Sequence, residues 1–127
     1  MKTALRKVLR VLKKGEDYFV YIPPNEDLGK ESFQLFFNSF NLQRKEANII
    51  TKLLINEKQK EIIEKHYTTL IKKEVKFTDF SFPSRLGIFK NHVLIITDTK
   101  QVLTILIESE ETYKMYKEFF IGLWESS

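Results

Sequence analysis

The chain has 127 residues, of which 43% are hydrophobic and 30% charged, as expected for one soluble globular domain with a single core. It contains no cysteine, which excludes disulfides, thiolate zinc sites and a cysteine nucleophile. The formal net charge is +4, but 17 acidic residues are interspersed with 21 basic ones, so charge alone does not predict nucleic-acid binding. No apolar run in the sequence approaches the roughly 20 residues of a membrane-spanning helix, and we expect an intracellular, cytoplasmic protein.

The first half of the chain alternates between helical and strand patterns. Apolar residues at helical spacing predict one helix over 3–14 and another over 30–41, where four phenylalanines share a face. Two apolar runs, 18–22 and 49–55, predict strands. Asn56 is a candidate N-cap for a third helix, with a glutamine at the capping-box position three residues later. Because helices separate these strands, we expect parallel pairing with crossover helices.

Closely spaced strands dominate the second half. An alternating pattern predicts a strand over 75–80, and three more strands follow a turn at 82–84. We expect tight hairpin connections at 91–92 and at 99–100, since each pair of residues separates two apolar runs. The closing strands should therefore pair as antiparallel hairpins.

A final amphipathic helix ends the pattern. Ser109 is a candidate N-cap, and the two glutamates after it suit the positive end of the helix dipole. The residues expected to form its buried face are Tyr116, Phe119, Phe120 and Leu123. The element order is α-β-α-β-α-β-β-β-β-α, which predicts an α/β fold with one mixed sheet and helices on its faces.

His92 is the main candidate for a reactive side chain. A histidine at the start of a strand can act as a nucleophile or general base if neighbouring groups hold it and stabilise the developing charge. The phospholipase D superfamily uses His-x-Lys-x4-Asp in this kind of setting. Here Leu94 takes the lysine position, and Asp98 follows His92 by six residues instead of seven. We therefore expect no enzyme activity, and His92 is interpreted as a hairpin residue or a retained ligand contact.

Two segments carry a resemblance to a known family. The run FPSRLGIFKNHVLIITD at 82–98 and the ending YKEFFIGLWESS at 116–127, with the order of elements, resemble the effector domain of archaeal TrmB-like transcriptional regulators. The pattern of the family's closing helix is matched by Phe119, Phe120, Leu123, Trp124 and Glu125. The resemblance implies one phospholipase-D-like domain over 1–127 that lacks the catalytic residues.

The resemblance also implies a function. Such a domain would sense a small molecule, form a homodimer and pass a conformational bias to a DNA-binding domain. No winged helix is expected within 1–127, so DNA would be contacted only indirectly, through a separate or missing winged-helix domain. We expect a small-molecule ligand, no cofactor and no metal site.

The topology suggests where a ligand would bind. In sheets with parallel strands, ligands bind at the carboxyl ends of the strands. The residues expected there are Pro24, Asn25 and Asn56, and His92 is a further candidate. Two alternatives of other classes stay open: a phosphodiesterase or nuclease of the phospholipase D superfamily with a degenerate motif, and a phospholipid- or protein-binding adaptor that uses basic helix faces.

Overall fold

A computed structural model describes residues 17–24, 50–66, 74–98 and 102–127. These residues form a six-stranded mixed sheet with two α-helices. The predicted helices over 3–14 and 30–41, Asn25 and the connection at 99–100 lie outside the described residues.

The strands and helices have the following bounds. The strands are β1 (Asp17–Ile22), β2 (Ile50–Asn56), β3 (Val75–Thr78), β4 (Arg85–Phe89), β5 (His92–Asp98) and β6 (Val102–Glu108). A 3₁₀ turn at Glu57–Gln59 leads into helix α1 (Lys60–His66), and helix α2 spans Glu110–Ser126.

The order across the sheet is β3-β2-β1-β4-β5-β6. β1, β2 and β3 pair in parallel, whereas β1 pairs antiparallel with β4, and β4, β5 and β6 form successive antiparallel pairs. The prediction of a mixed sheet with parallel pairing first and antiparallel hairpins after is confirmed. The ends of β1, β2 and β3 therefore lie together on one side of the sheet, which we call the carboxyl edge.

Helix α2 crosses one face of the sheet, and its packing forms a core cluster. Phe120 is 2% exposed, and its ring centroid lies 5.1 Å from that of Phe19 and 6.2 Å from that of Trp124. The other buried members of the cluster are Tyr21, Leu54, Leu86 and Ile88. Burial of each large apolar side chain contributes about 1.5–3 kcal/mol. We call the sheet surface beneath this helix the α2 face.

The buried face of α2 differs from the predicted one at Phe119. This side chain is 49% exposed, and its ring meets that of Phe80 edge-on at a centroid distance of 5.4 Å. A helix turns by about 100° per residue, so the neighbour of the fully buried Phe120 lies on the flank of the helix. Trp124, at 8% exposure, occupies the buried position one turn after Phe120.

The hairpin between β4 and β5 turns one residue earlier than predicted. Phe89 pairs with His92, so the connecting residues are Lys90 and Asn91. Asn91 has a φ of 57°, a left-handed conformation that asparagine tolerates better than most residues. Its carbonyl oxygen accepts a hydrogen bond from the Ser109 N–H at 2.9 Å, which joins the hairpin to the start of α2.

Ser109 begins α2 as the sequence predicts. Its side-chain oxygen accepts a hydrogen bond from the Thr112 N–H at 3.2 Å, and Glu110 and Glu111 lie in the first turn. The side-chain cap satisfies one of the free N–H groups at the helix start.

The turn geometry gives a test of the hairpin. Asn91→Val should lower the free energy of unfolding by about 1–2 kcal/mol, because a β-branched side chain is strained at positive φ. Asn91→Gly is the control, since it removes the same side chain without that strain. Urea unfolding followed by circular dichroism measures both, and equal losses for the two variants would contradict this turn.

Candidate functional site

The carboxyl edge of the sheet gathers buried polar side chains. Tyr21 lies near the end of β1, Asn56 ends β2 and Thr78 ends β3. Their exposures are 1%, 2% and 7%. Because a buried polar group is costly unless it is hydrogen-bonded, the partners of these side chains show what the edge stabilises.

Tyr21 and Asn56 both bind the loop that follows β3. The Tyr21 hydroxyl donates to the Phe80 carbonyl oxygen at 3.0 Å and accepts from the Phe82 N–H at 3.0 Å. Asn56 Nδ2 donates to the same Phe80 oxygen at 2.9 Å, and its Oδ1 accepts from the Lys58 N–H at 3.0 Å. The predicted capping role of Asn56 is confirmed, for the 3₁₀ turn that precedes α1.

Gln59 holds the chain that follows β1. Its side chain is 2% exposed, and Nε2 donates to the carbonyl oxygens of Pro23 at 3.1 Å and Pro24 at 3.2 Å. Pro24 and Asn56 thus both lie at the carboxyl edge, where the topology predicts them. Their polar atoms make hydrogen bonds within the chain.

Thr78 explains why β3 is shorter than the predicted strand over 75–80. Its hydroxyl oxygen accepts a hydrogen bond from the Phe80 N–H at 3.1 Å. Such a local side-chain bond competes with the hydrogen bonds of the strand ladder. The chain leaves the sheet after Thr78, and this turn brings the Phe80 carbonyl to Tyr21 and Asn56.

Burial changes the acidity of Tyr21. Desolvation raises the pKa of the Tyr21 phenol above its ordinary value of 10.0, while hydrogen bonding with the Phe82 N–H and the Asn56 side chain opposes part of this rise. The phenol therefore stays neutral at physiological pH and can donate to the Phe80 carbonyl.

An open cavity of about 320 Å³ adjoins this edge. Its lining residues are Glu57, Phe77, Thr78, Asp79, Leu123, Ser126 and Ser127. They come from the start of the 3₁₀ turn after β2, from β3 with the residue that follows it, and from the last turn of α2 with Ser127. Carboxylates and hydroxyls can bind several hydroxyl groups of a ligand, and the apolar residues provide a packing surface. The volume is at the low end of the range for small-molecule sites.

His92 lies at the opposite edge of the sheet. Its ring stacks on Phe89 at a centroid distance of 4.9 Å, Nδ1 is in hydrogen-bond contact with the Lys90 carbonyl oxygen, and Nε2 is 3.6 Å from Oε1 of Glu108. The structure does not bring His92 together with Pro24 and Asn56. Leu94, at the lysine position of the catalytic motif, is 1% exposed.

Several residues of the carboxyl edge carry no sequence signal of a site. Tyr21 belongs to an apolar strand pattern, and Asp79 and Ser126 lie 47 positions apart in the chain. Asp79 follows a strand end, which is the one pattern that could have indicated it. Within the described ranges, no cluster of three or more histidine or acidic side chains could hold a metal ion. No helix in the same part of the chain is long and apolar enough to span a membrane.

Comparison with solved structures finds the same fold in a known protein. The chain is similar to TrmBL2, an archaeal chromatin protein whose structure shows a novel mode of DNA binding, with a TM-score of 0.67 and 10% sequence identity. The match covers 98% of this chain and 48% of the TrmBL2 chain, so this chain spans about half of that protein's length. At this identity the likeness shows the fold alone. No protein-family model and no curated protein matches the sequence.

The hydrogen bonds of Tyr21 can be tested by removing its hydroxyl. Tyr21→Phe should lower the free energy of unfolding by about 1–2 kcal/mol at neutral pH, because the Phe82 N–H loses its acceptor. Urea unfolding of the variant and the wild-type chain measures this difference.

The same variant tests the raised pKa. A group whose pKa is higher in the folded state than in the unfolded state stabilises the fold fully at pH values below its unfolded pKa, which is 10.0 for tyrosine. This stabilisation is lost as the pH rises through the folded pKa. The wild-type chain should therefore lose more stability than Tyr21→Phe between pH 9 and pH 12. Equal losses of stability in the two proteins would show that groups other than Tyr21 cause the destabilisation at high pH.

Proposed function

We propose that the chain is a non-catalytic domain of a transcriptional regulator that binds a small ligand and dimerises. The observation that carries this proposal is the fold shared with TrmBL2 over 98% of the chain. The TrmB-like pattern of the closing helix supports it independently. In this proposal the fold is of the phospholipase-D-like type, and DNA is reached through a separate DNA-binding domain.

The surroundings of His92 support the non-catalytic part. Phosphodiester chemistry needs a cation next to the histidine to stabilise the charge that develops on phosphate. Leu94 supplies none and is buried in the sheet. The imidazole instead packs on Phe89 and lies near the Glu108 carboxylate, an arrangement that suits a hairpin contact.

The open cavity at the carboxyl edge supports the ligand-binding part. It joins the residue after β3 to the last turn of α2, so a ligand that contacts both would favour one position of the helix. Lys76 of β3 already holds this helix end, since its Nζ donates to the Trp124 carbonyl oxygen at 2.9 Å. A ligand acts as a signal only when it binds two states with different affinity. The helix end is the element that could provide these states.

The chemistry of the cavity gives the first functional test. Glu57 and Asp79 disfavour anions and accept hydrogen bonds from hydroxyl groups. We expect a panel of neutral sugars and nucleosides in isothermal titration to yield a binder, whereas anionic nucleotides should not bind. Asp79→Asn should weaken that binding about tenfold, since a hydrogen bond to a charged group contributes about 1.5–3 kcal/mol.

The control for this test is Glu61→Gln, which removes the same charge from an exposed position of α1. It should leave the affinity unchanged. No binding by any member of the panel would remove the ligand-sensing part of the proposal.

Strand β6 is the surface that we propose for dimerisation. It is an edge strand of the described sheet, and its segment 103–107 carries no charged residue. Leu103 and Ile105 are 59% and 53% exposed on the α2 face, and Thr104 is exposed on the other face. Edge strands of monomers usually carry charges or proline that block further pairing. This segment has neither.

A second copy of the chain fits this edge because the segment is self-complementary. In an antiparallel pair around a two-fold axis at Ile105, Leu103 would lie opposite Ile107 of the partner subunit. The symmetry repeats this apolar pair on the other side of the axis. The half-buried Ile95 pairs with Ile105 in the ladder and extends the apolar surface on the same side. Because the segment 103–107 has no charged residue, this pairing brings no like charges opposite each other, and the same strand of a second copy can pair with it.

A lysine in the middle of β6 tests the dimer. Ile105→Lys should weaken dimerisation at least tenfold, because two ammonium groups would meet at the axis. Analytical ultracentrifugation over a concentration series measures the dissociation constant. Glu64→Gln on α1 gives the same change in net charge at a distant exposed site and should remain dimeric. A wild-type chain that sediments as a monomer at every concentration would contradict this interface.

A further inference from the structure

His92 and Glu108 lie directly opposite each other on β5 and β6, at the edge of the sheet away from the open cavity. The Nε2 atom of the His92 ring is 3.6 Å from Oε1 of Glu108. A hydrogen bond between nitrogen and oxygen spans about 2.7–3.2 Å, so these two atoms are not joined directly. They are close enough, however, to share a third partner that lies between them.

A contact with the hairpin turn decides which nitrogen of the His92 ring carries the proton. Nδ1 is in hydrogen-bond contact with the Lys90 carbonyl oxygen, which can only accept, so Nδ1 is the donor. In the neutral ring, Nε2 then presents a lone pair. A lone pair and a carboxylate oxygen repel each other. A cation placed between Nε2 and the Glu108 carboxylate would therefore stabilise the arrangement.

Packing holds the His92 ring in this orientation. The ring stacks on Phe89 with an interplanar angle of 2°, and the His92 side chain is only 14% exposed. A histidine that binds a metal ion almost always donates its other ring N–H to a carbonyl or carboxylate oxygen, as Nδ1 does here. The Glu108 side chain is 63% exposed, so an ion bound between the two residues would be open to solvent on one side.

Bond lengths indicate which class of ion fits this pair. Zinc binds imidazole nitrogen and carboxylate oxygen at about 2.0–2.2 Å in a tetrahedron, which places two ligand atoms about 3.4 Å apart. The distance of 3.6 Å between Nε2 and Oε1 comes close to this value. Calcium and magnesium prefer oxygen ligands, whereas imidazole suits zinc, copper and nickel. The pair therefore fits a divalent transition-metal ion.

We propose that His92 and Glu108 bind a divalent transition-metal ion, with zinc as the representative, that joins β5 to β6. Two water molecules would complete the tetrahedron. The site thus has two protein ligands and is open, unlike a structural zinc site with four protein ligands. This inference goes beyond the proposed function and depends on neither ligand binding nor dimerisation.

The ion would act on the start of α2. Glu108 is followed by Ser109, whose N–H binds the Asn91 carbonyl oxygen and whose side chain caps the helix. A bond from Glu108 through the ion to His92 would add a second link between the β4–β5 hairpin and this helix start. Because an ion that binds the folded chain stabilises it by mass action, the thermal midpoint should rise with zinc concentration.

The test measures ZnCl₂ binding to the full chain, without a polyhistidine tag, by isothermal titration. His92→Gln and Glu108→Gln each remove one proposed ligand. Their matched controls are His66→Gln, at the end of α1, and Glu118→Gln, at an exposed position of α2. Each control makes the same chemical change at a distant position. MgCl₂ at the same concentrations is the control for the type of ion.

We expect the wild-type chain and both controls to bind zinc with equal affinity, and His92→Gln and Glu108→Gln to bind at least tenfold more weakly. The loss of an outer partner of a metal ligand already weakens binding about 10- to 100-fold, and the loss of a ligand should weaken it no less. MgCl₂ should not bind. A wild-type chain that binds no zinc would overturn the proposal, and so would equal affinities of His92→Gln and the wild-type chain.

Nuclear magnetic resonance of the imidazole nitrogens gives a second measurement that needs no variant, in case a variant does not fold. Zinc should shift the Nε2 resonance of His92 in the wild-type chain, while Nδ1 keeps its proton. Spectra in which zinc shifts only the resonances of His66 would overturn the proposal. Spectra in which no imidazole nitrogen responds would do the same, and the pair would then share a proton and no metal ion.

Discussion

The packing of helix α2 against the central strands is the interaction on which the rest of the structure depends. Phe120 and Trp124 place the helix across Phe19 and its neighbours, and together they form the core of the α2 face. The same helix supplies the last turn that lines the open cavity. The proposed ligand site therefore requires this helix to be docked.

The ends of α2 are fixed by different kinds of contact. At its start, the Ser109 side chain caps the helix and the Ser109 N–H binds the Asn91 carbonyl of the β4–β5 hairpin. At its end, Lys76 donates to the Trp124 carbonyl oxygen. The start is tied by a cap and a backbone bond, whereas the end is held by the Lys76 hydrogen bond and by the burial of Trp124. A ligand in the proposed site would act at this end, because the cavity is lined by the last turn of the helix.

Local patterns in the sequence predicted most of the described elements, because helix caps, apolar runs and strand spacing are local properties. Ser109 and Asn56 cap as predicted, and the division into parallel and antiparallel pairs follows from the lengths of the connections. The position of β1 between β2 and β4 depends on long-range pairing and has no local signal. The one-residue error at the hairpin arose because Asn91 adopts a positive φ while His92 pairs in the ladder. Phe119 was assigned to the buried face because helical spacing does not show how wide that face is.

The candidate site was predictable only in its location. Topology placed Pro24 and Asn56 at the carboxyl edge, but the hydrogen bonds to Gln59 and Phe80 that engage them follow from tertiary packing. His92 was grouped with them by chemistry alone, and it lies at the other edge. The cavity joins residues from distant segments. Spacing in the sequence cannot reveal such combinations without a known motif.

Cooperative unfolding of α2 with the sheet tests the central claim most directly. Trp124 is the single tryptophan of the chain, so its fluorescence reports the docked helix end, while far-UV circular dichroism reports the secondary structure as a whole. We expect the two signals to give one coincident transition in urea, and Phe120→Ala to shift both midpoints equally. A fluorescence transition at lower urea than the dichroism transition would show that α2 undocks by itself, and it would contradict the dependence of the rest of the structure on the docked helix.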